Sequence, residues 1–198
     1  MSSLYETLLS QTNPVEGHIL PTANTYKAFR KVLEITQATM IYEIGFNAGH
    51  SAKMWLDLLS EQTDFYLVYS LDACKHPYTY QLGRALENSN SNFQFMKKDV
   101  MHINDREFLD GFDLVCMDGT HPREHLKFVL SALMHGVVPY ILINDCSNKR
   151  YVTDLVNGAL ENPSFKYEMA TLPIYYDGSK GENRMLLLKT TSIGVRVI

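Results

Sequence analysis

Met40-Ile-Tyr-Glu-Ile44, then Gly45-Phe-Asn-Ala-Gly49, then His50-Ser-Ala-Lys-Met-Trp-Leu-Asp-Leu-Leu59: this stretch decides the fold. Its first part is a short apolar run of β type, and its second is a turn holding two glycines. From the turn onward Ala48, Ala52, Trp55, Leu56 and Leu59 recur at the spacing of one helical face. The reading is strand, turn, helix, with Trp55 on the buried stripe. Downstream the alternation repeats. Phe65–Leu71 reads as a second strand ending at Asp72, with a helix from about Tyr78 to Leu86. Phe93–Met96 forms a third strand that ends near Asp99. Phe112–Met117 is a fourth and runs into Asp118-Gly-Thr-His121-Pro122, where Pro122 suits a first helical turn and Leu126, Val129, Leu130 and Leu133 supply the stripe. Val137–Ile143 is a fifth strand, ending at Asn144-Asp145, and Val152, Leu155, Val156, Ala159 and Leu160 make the next helical face.

Two further β runs, Phe165–Leu172 and Arg184–Lys189, flank the polar loop Asp177–Asn183 and predict an antiparallel hairpin. Upstream, a helix is predicted from about Asn24 to Ile35, entered through Pro21-Thr22. Short strands alternating with longer helical segments specify βαβ units. The expected fold class is therefore α/β: a single Rossmann-like, doubly wound, mostly parallel seven-stranded sheet closed by an antiparallel C-terminal hairpin. One domain is expected over residues 1–198, with residues 1–39 as a helical cap and 40–198 as the α/β core.

Composition narrows the function classes. Apolar residues make up 45% and charged residues 20%, the balance of a folded globule. The net charge of −4 lacks the basic excess that binds phosphate backbones or anionic lipid, so neither nucleic acid nor a membrane is an expected partner. Cys74, Cys116 and Cys146 make an odd set without CxxC spacing, which fits neither a disulfide framework nor a zinc site and points to the cytoplasm. No apolar run reaches membrane length, and Met1-Ser-Ser-Leu-Tyr-Glu6 lacks a signal-peptide layout.

A parallel sheet binds its ligand at the carboxyl ends of its strands. Those ends carry Glu43, Asp72, Asp99, Asp118 and Asp145. One such Asp is ordinary turn chemistry, because it bonds its own backbone. Five in succession line one crevice with acceptors and negative charge, which suits a ligand offering hydroxyls, amines or a cation. The turn Gly45–Gly49 lets a chain reverse tightly and a ligand approach a helix N-terminus. It is not a dinucleotide fingerprint, since Asn47 stands where the middle Gly belongs, which argues against a nicotinamide dehydrogenase. Nor is it a P-loop, since Lys53 is off that spacing.

Glu43-x-Gly45-x-x-x-Gly49-x-Ser51, Asp72 ending the second strand, Asp99 after the third and Asp118-Gly-Thr-His121 after the fourth together resemble a class I S-adenosylmethionine (SAM)-dependent methyltransferase. The chain is most similar to the branch with Asp-Gly-x-His after the fourth strand, which includes many small-molecule O-methyltransferases. The resemblance runs from about Ile41 to Asn148 and implies SAM as cofactor. It implies that Glu43 with Gly45 and Gly49 holds the methionine end, with Asn47 and Ser51 against its amino-acid part. Asp72 would take the ribose hydroxyls, Asp99 and Val100 would frame the adenine, and Asp118 would face the sulfonium and the acceptor. No Asn/Asp-Pro-Pro-aromatic motif follows the fourth strand, which speaks against a nucleic-acid methyltransferase.

Methyl transfer needs alignment and, for a hydroxyl acceptor, removal of a proton. The resemblance leaves two routes. In one, Asp118, Asn144 and Asp145 gather oxygen ligands for Mg²⁺, although Cys146 stands where the metal-dependent members carry Asn, and a thiol is a poor Mg²⁺ ligand. In the other, His121 is the general base; the same residue also reads as a helix cap. His50 and His125 read as helix-surface residues. The expected function is methyl transfer to a small-molecule acceptor, a hydroxyl oxygen, with a SAM-binding protein lacking transferase activity as the alternative. A homodimer is compatible with either.

Overall fold

The computed structural model describes residues 3–13, 19, 21–103, 109–118, 123–144, 167–175 and 182–190. Their elements follow one another as α1 (Leu4–Ser10), α2 (Ala23–Thr36), β1 (Met40–Ile44), α3 (His50–Ser60), β2 (Leu67–Asp72), α4 (Pro77–Ser89) and β3 (Phe93–Lys97). A 3₁₀ turn (Val100–His102), β4 (Leu114–Met117), α5 (Arg123–Met134), β5 (Tyr140–Ile143), β6 (Tyr167–Tyr175) and β7 (Glu182–Thr190) complete the order. The strands form a seven-stranded sheet of order β3-β2-β1-β4-β5-β7-β6. β1 to β5 pair in parallel, and β7 runs antiparallel between β5 and β6. Strand order reverses at β1, between β2 and β4, which is where an open α/β sheet opens a crevice at its carboxyl edge.

Side-chain parity divides the core. Ile41, Leu114, Cys116 and Leu142 join α2, α3 and α4 in one apolar cluster, while Tyr42, Ile44, Val115, Met117, Ile141 and Ile143 join α5 in the other. Burial on both faces explains why these strands read as continuous apolar runs. Phe29 of α2 packs on Trp55 of α3 with ring centroids 4.1 Å apart, so Trp55 is core material. Gly83 of α4 has the Phe95 ring against it: a Cβ there would fall 2.6 Å from the ring, so the helix approaches the sheet closely only because this residue is glycine.

Three expectations need correction. Phe65 lies before β2, not in it, and is 86% exposed. The N-terminal region contains a helix besides α2: Ser3 and Glu6 form a reciprocal capping box that starts α1. His125 is not a surface residue but is buried on α5. The helical face expected at Val152–Leu160, the tip Asp177–Gly181 of the hairpin loop, Gly119–Pro122, Asp145 and Cys146 lie outside the described residues.

Candidate functional site

The hydrogen-bond ladder continues past the strand ends and sets the site's register. Gly45 N–H donates to Leu71 O (2.8 Å), Asp118 N–H to Ile44 O (2.9 Å) and Asn144 N–H to Met117 O (2.9 Å). Asp72, the Gly45 turn, Asp118 and Asn144 are thereby brought side by side along the carboxyl edge. Asn144 then donates from Nδ2 to Asp118 Oδ1 at 2.9 Å.

Three residues of the turn adopt left-handed backbone: Gly45 (φ 99°), Asn47 (φ 47°) and Gly49 (φ 83°). For Asn47 that conformation carries strain, which persists only where surroundings over-determine it. They do. Asp72 Oδ2 accepts from Phe46 N–H (2.8 Å) and Asn47 N–H (3.0 Å), and Oδ1 accepts from Cys74 N–H (2.6 Å). The Tyr78 hydroxyl of α4 donates to Asn47 Oδ1 at 2.7 Å. The Tyr5 hydroxyl of α1 donates to Ala48 O at 2.9 Å in a buried bond. A carboxylate offers about four acceptor positions; Asp72 commits two bonds to the Gly45–Gly49 turn and one to its own strand-end turn at Cys74.

Gly49 serves a further purpose besides the tight reversal read in the sequence, which its positive φ fits. A Cβ on it would meet Phe46 Cζ at 2.3 Å, so the missing side chain makes room for the buried Phe46 ring. Phe46 in turn packs against Phe93 and Phe95. Gly49→Ala combines that clash with an unfavourable positive φ and is expected to cost roughly 3 kcal/mol. Thermal unfolding followed by circular dichroism checks this; a melting temperature within 2 °C of wild type refutes it.

Glu43 sits one residue before the end of β1, so parity turns it to the α2/α3 face. It is opposite Ser70 of β2 and Cys116 of β4. It is fully buried, and Ser70 Oγ donates to its Oε2. Burial pushes its pKa up to about 8; the Ser51 and Ser70 hydroxyls oppose the rise, while the charges of Asp118 and Asp72 add to it. Among the described residues its Oε1 is buried without a hydrogen-bond partner. A recess opens here, with Glu43, Ser51, Asp118 and Asn144 as its polar residues and Ile19, Phe29 and Trp55 among its apolar ones. Ser51, buried in the first turn of α3, and Glu43 therefore face one space at a helix N-terminus.

Asp99 precedes the 3₁₀ turn that begins at Val100. Among the described residues the buried His125 has no hydrogen bond at either ring nitrogen; burial lowers its pKa, and the charge of Asp99 opposes this. Of the catalytic and metal residues read in the sequence, Asp118 and Asn144 are brought together, whereas His121 and Asp145 lie outside the described residues. Among the described residues no three His, Cys, Asp or Glu side chains gather to hold a metal ion. Tyr5 and Tyr78 were not identified from sequence. The Ser3-x-x-Glu6 capping box could have announced α1, but the contacts of both tyrosines are tertiary, spanning 43 and 31 residues.

The chain has the fold of several solved methyltransferases. The chain shares it with an O-methyltransferase from Bacillus cereus in complex with SAH (S-adenosylhomocysteine), at TM-score 0.67 and 16% identity over 93% of this chain and 88% of that one. It is similar also to an SAH-bound methyltransferase from Podospora anserina (TM-score 0.65, 15% identity, 94% and 85% covered) and to the cofactor-bound Rv0187 from MTB (0.66, 16%, 93% and 87%). No protein-family model matches the chain, and no curated protein matches it in sequence.

Proposed function

We propose that the chain is a single methyltransferase-like domain, with residues 1–39 as its cap, that binds SAM at the carboxyl edge of the sheet and transfers the methyl group to a hydroxyl oxygen of a small molecule in the cytoplasm. The observation that carries this reading is Glu43 Oε1, an acceptor buried without a partner among the described residues, in a recess shared with Ser51 and Asp118. An unpaired buried carboxylate oxygen is costly, and an ammonium group answers it with a charge-assisted bond. SAM carries one at its methionine end. The fold neighbours were solved with SAH or cofactor bound, which supports the same ligand here. No described helix is long and apolar enough to cross a membrane, in keeping with an acceptor taken from solution.

When bound, SAM supplies an electrophilic methyl group on a sulfonium. The protein's part is to hold and orient. Glu43 and Ser51 take the amino-acid end, and the turn clamped by Asp72 presents its backbone to the nucleoside. Asp99 and Val100 flank the adenine. Asp118, fixed by Asn144, faces the reacting end and stabilises positive charge there. The acceptor proton would pass to His121; were Mg²⁺ used instead, the oxygens of Asp118, Asn144 and Asp145 would hold it, and it would supply a lowered pKa at the acceptor hydroxyl.

The test is direct titration of the protein with SAH and, separately, with NAD, followed by SAH release from SAM over a panel of phenols and catechols with and without chelator. Micromolar SAH binding, no NAD binding and acceptor-dependent SAH release are expected. Absence of SAH binding by the folded protein overturns the reading, and binding without turnover on any hydroxyl acceptor reduces it to cofactor capture. Loss of turnover in chelator selects the Mg²⁺ route; turnover unaffected by it selects His121.

A further inference from the structure

The turn Gly45–Gly49 is clamped mainly from within the α/β core: by Asp72 at the end of β2, by Tyr78 on α4 and by Phe46 of the turn itself. One clamp comes from outside. Tyr5, in the seven-residue helix α1, is 1% exposed and donates its hydroxyl to the Ala48 carbonyl at 2.9 Å. Ala48 lies between the two left-handed residues Asn47 and Gly49, so its carbonyl orientation is linked to both of their conformations. An isolated two-turn helix does not hold itself together in water. α1 persists because its capping box closes its start and its ring is buried in the same cluster as Phe46 and Ala48. The hydroxyl therefore does more than fill space: it satisfies a main-chain carbonyl buried beneath the cofactor turn, and it does so from a segment that the sheet does not contain.

We propose that Tyr5 is a positioning residue of the cofactor site: through its bond to Ala48, helix α1 holds the Gly45–Gly49 turn in the conformation that accepts the nucleoside ligand. The inference rests on the cofactor reading above for its ligand, but the turn's conformation can be read without any ligand. Burial raises the Tyr5 hydroxyl's pKa, and the nearby Glu43 charge raises it further, so the group stays a protonated donor. Neither water nor another described side chain is needed to complete the contact.

The experiment compares Tyr5→Phe with Tyr26→Phe in the full chain. Both remove one phenolic hydroxyl and keep the ring. Tyr26 donates to Asp57 Oδ2 at 2.9 Å, an acceptor on α3 outside the Gly45–Gly49 turn, so it controls for the loss of a neighbouring tyrosine hydrogen bond that does not reach the turn. Two readouts are taken: the SAH dissociation constant, and amide hydrogen exchange at Phe46, Asn47 and Gly49 in the ligand-free protein. For Tyr5→Phe a threefold to tenfold weaker SAH affinity is expected, the range set by one neutral hydrogen bond, with exchange at those amides faster by a similar factor. For Tyr26→Phe both are expected to stay within twofold of wild type. Exchange and affinity unchanged in Tyr5→Phe, or changed equally in Tyr26→Phe, overturn the proposal. If wild type binds no SAH while Tyr5→Phe still loosens the turn, the cofactor reading fails and the positioning of the turn by Tyr5 stands. If Tyr5→Phe does not fold, Ser3→Ala, which unties the capping box of α1 and leaves the side chains of the turn in place, must show faster exchange at Gly49; slow exchange there refutes the role.

Discussion

Asp72→Ala is expected to weaken SAH binding at least 100-fold. The carboxylate accepts three main-chain N–H groups, from Phe46, Asn47 and Cys74, and these include the turn's left-handed Asn47 and a second left-handed non-glycine residue, Cys74 (φ 56°). A hydrogen bond to a charged group contributes about 1.5–3 kcal/mol. Losing three at once leaves N–H groups without partners and releases the strain that Asn47 stores. Even if water replaces the most exposed of them, about 3 kcal/mol of preorganisation is lost, and each 1.4 kcal/mol is a factor of ten in affinity. Any bond from the carboxylate to the ligand's hydroxyls adds to this. Asp72→Asn separates the two contributions: its remaining amide oxygen can serve one side of the original set, so an intermediate loss is expected. Titration calorimetry on variants with wild-type circular dichroism provides the check. An Asp72→Ala dissociation constant within threefold of wild type removes Asp72 from the site.

This dual duty of Asp72 marks the limit of what the chain discloses on its own. That an acidic residue closes β2 is legible, because strand ends are set by local pattern: apolar alternation stops, and a turn-forming residue follows. Which partners that carboxylate takes is decided by the register of β2 against β1, which brings Gly45 beside Leu71 and so the turn's N–H groups over Asp72. The sequence offers two readings of its acceptors, the ribose hydroxyls of a ligand and a strand-end turn in which the Asp bonds its own backbone. The structure places most of them on the protein's own backbone. The same distinction separates the two glycines. Gly49 is legible as glycine in a turn, but its further reason, the Phe46 ring 2.3 Å from where a Cβ would lie, depends on a ring position that tertiary packing against Phe93 and Phe95 accompanies.

Element type followed from period wherever apolar residues were dense. α3 carries Ala52, Trp55, Leu56 and Leu59 on one buried face, and β1, β4 and β5 are apolar on both faces because helices cover both. Boundaries followed less well. Phe65 has strong β propensity, yet it precedes β2 and is exposed, because pairing begins only where Leu67 finds Met40 across from it. His125 was read as polar and therefore outward; it occupies a buried position on α5 near Asp99, and polarity alone does not reveal such a site. α1 escaped notice because a seven-residue helix has too few turns to show a period, although its cap was visible.

Glu43→Gln is expected to abolish the pH response that this buried carboxyl gives the protein. In the folded state burial raises this carboxyl from 4.5 to about 8. Between those values the folded protein keeps a proton that the unfolded chain has released, so the unfolded state binds fewer protons and stability falls as pH rises from about 4.5 to about 8. Each unit of such a shift corresponds to about 1.4 kcal/mol, and the whole window to several kcal/mol. Glutamine is neutral at every pH and nearly the same shape. The variant is therefore expected to match wild type near pH 5 and to be more stable by roughly 3 kcal/mol at pH 8.5, measured by urea unfolding. Ligand binding runs the other way. A ligand ammonium pairs only with the ionised carboxylate, so wild-type affinity for SAH is expected to tighten as pH rises toward 8, with proton release at pH 7 seen as a buffer-dependent heat. Glu43→Gln is expected to bind about 100-fold more weakly at pH 8, the cost of one charged hydrogen bond in a dry site, and to show no such slope below pH 8. A variant no more stable than wild type at pH 8.5 would refute the buried acid, and a variant with wild-type affinity at pH 8 would remove Glu43 from the ligand. Because one substitution is expected to raise stability and weaken affinity together, a general loss of structure cannot imitate it, and that outcome would mark a position where the fold tolerates a cost for the sake of the ligand.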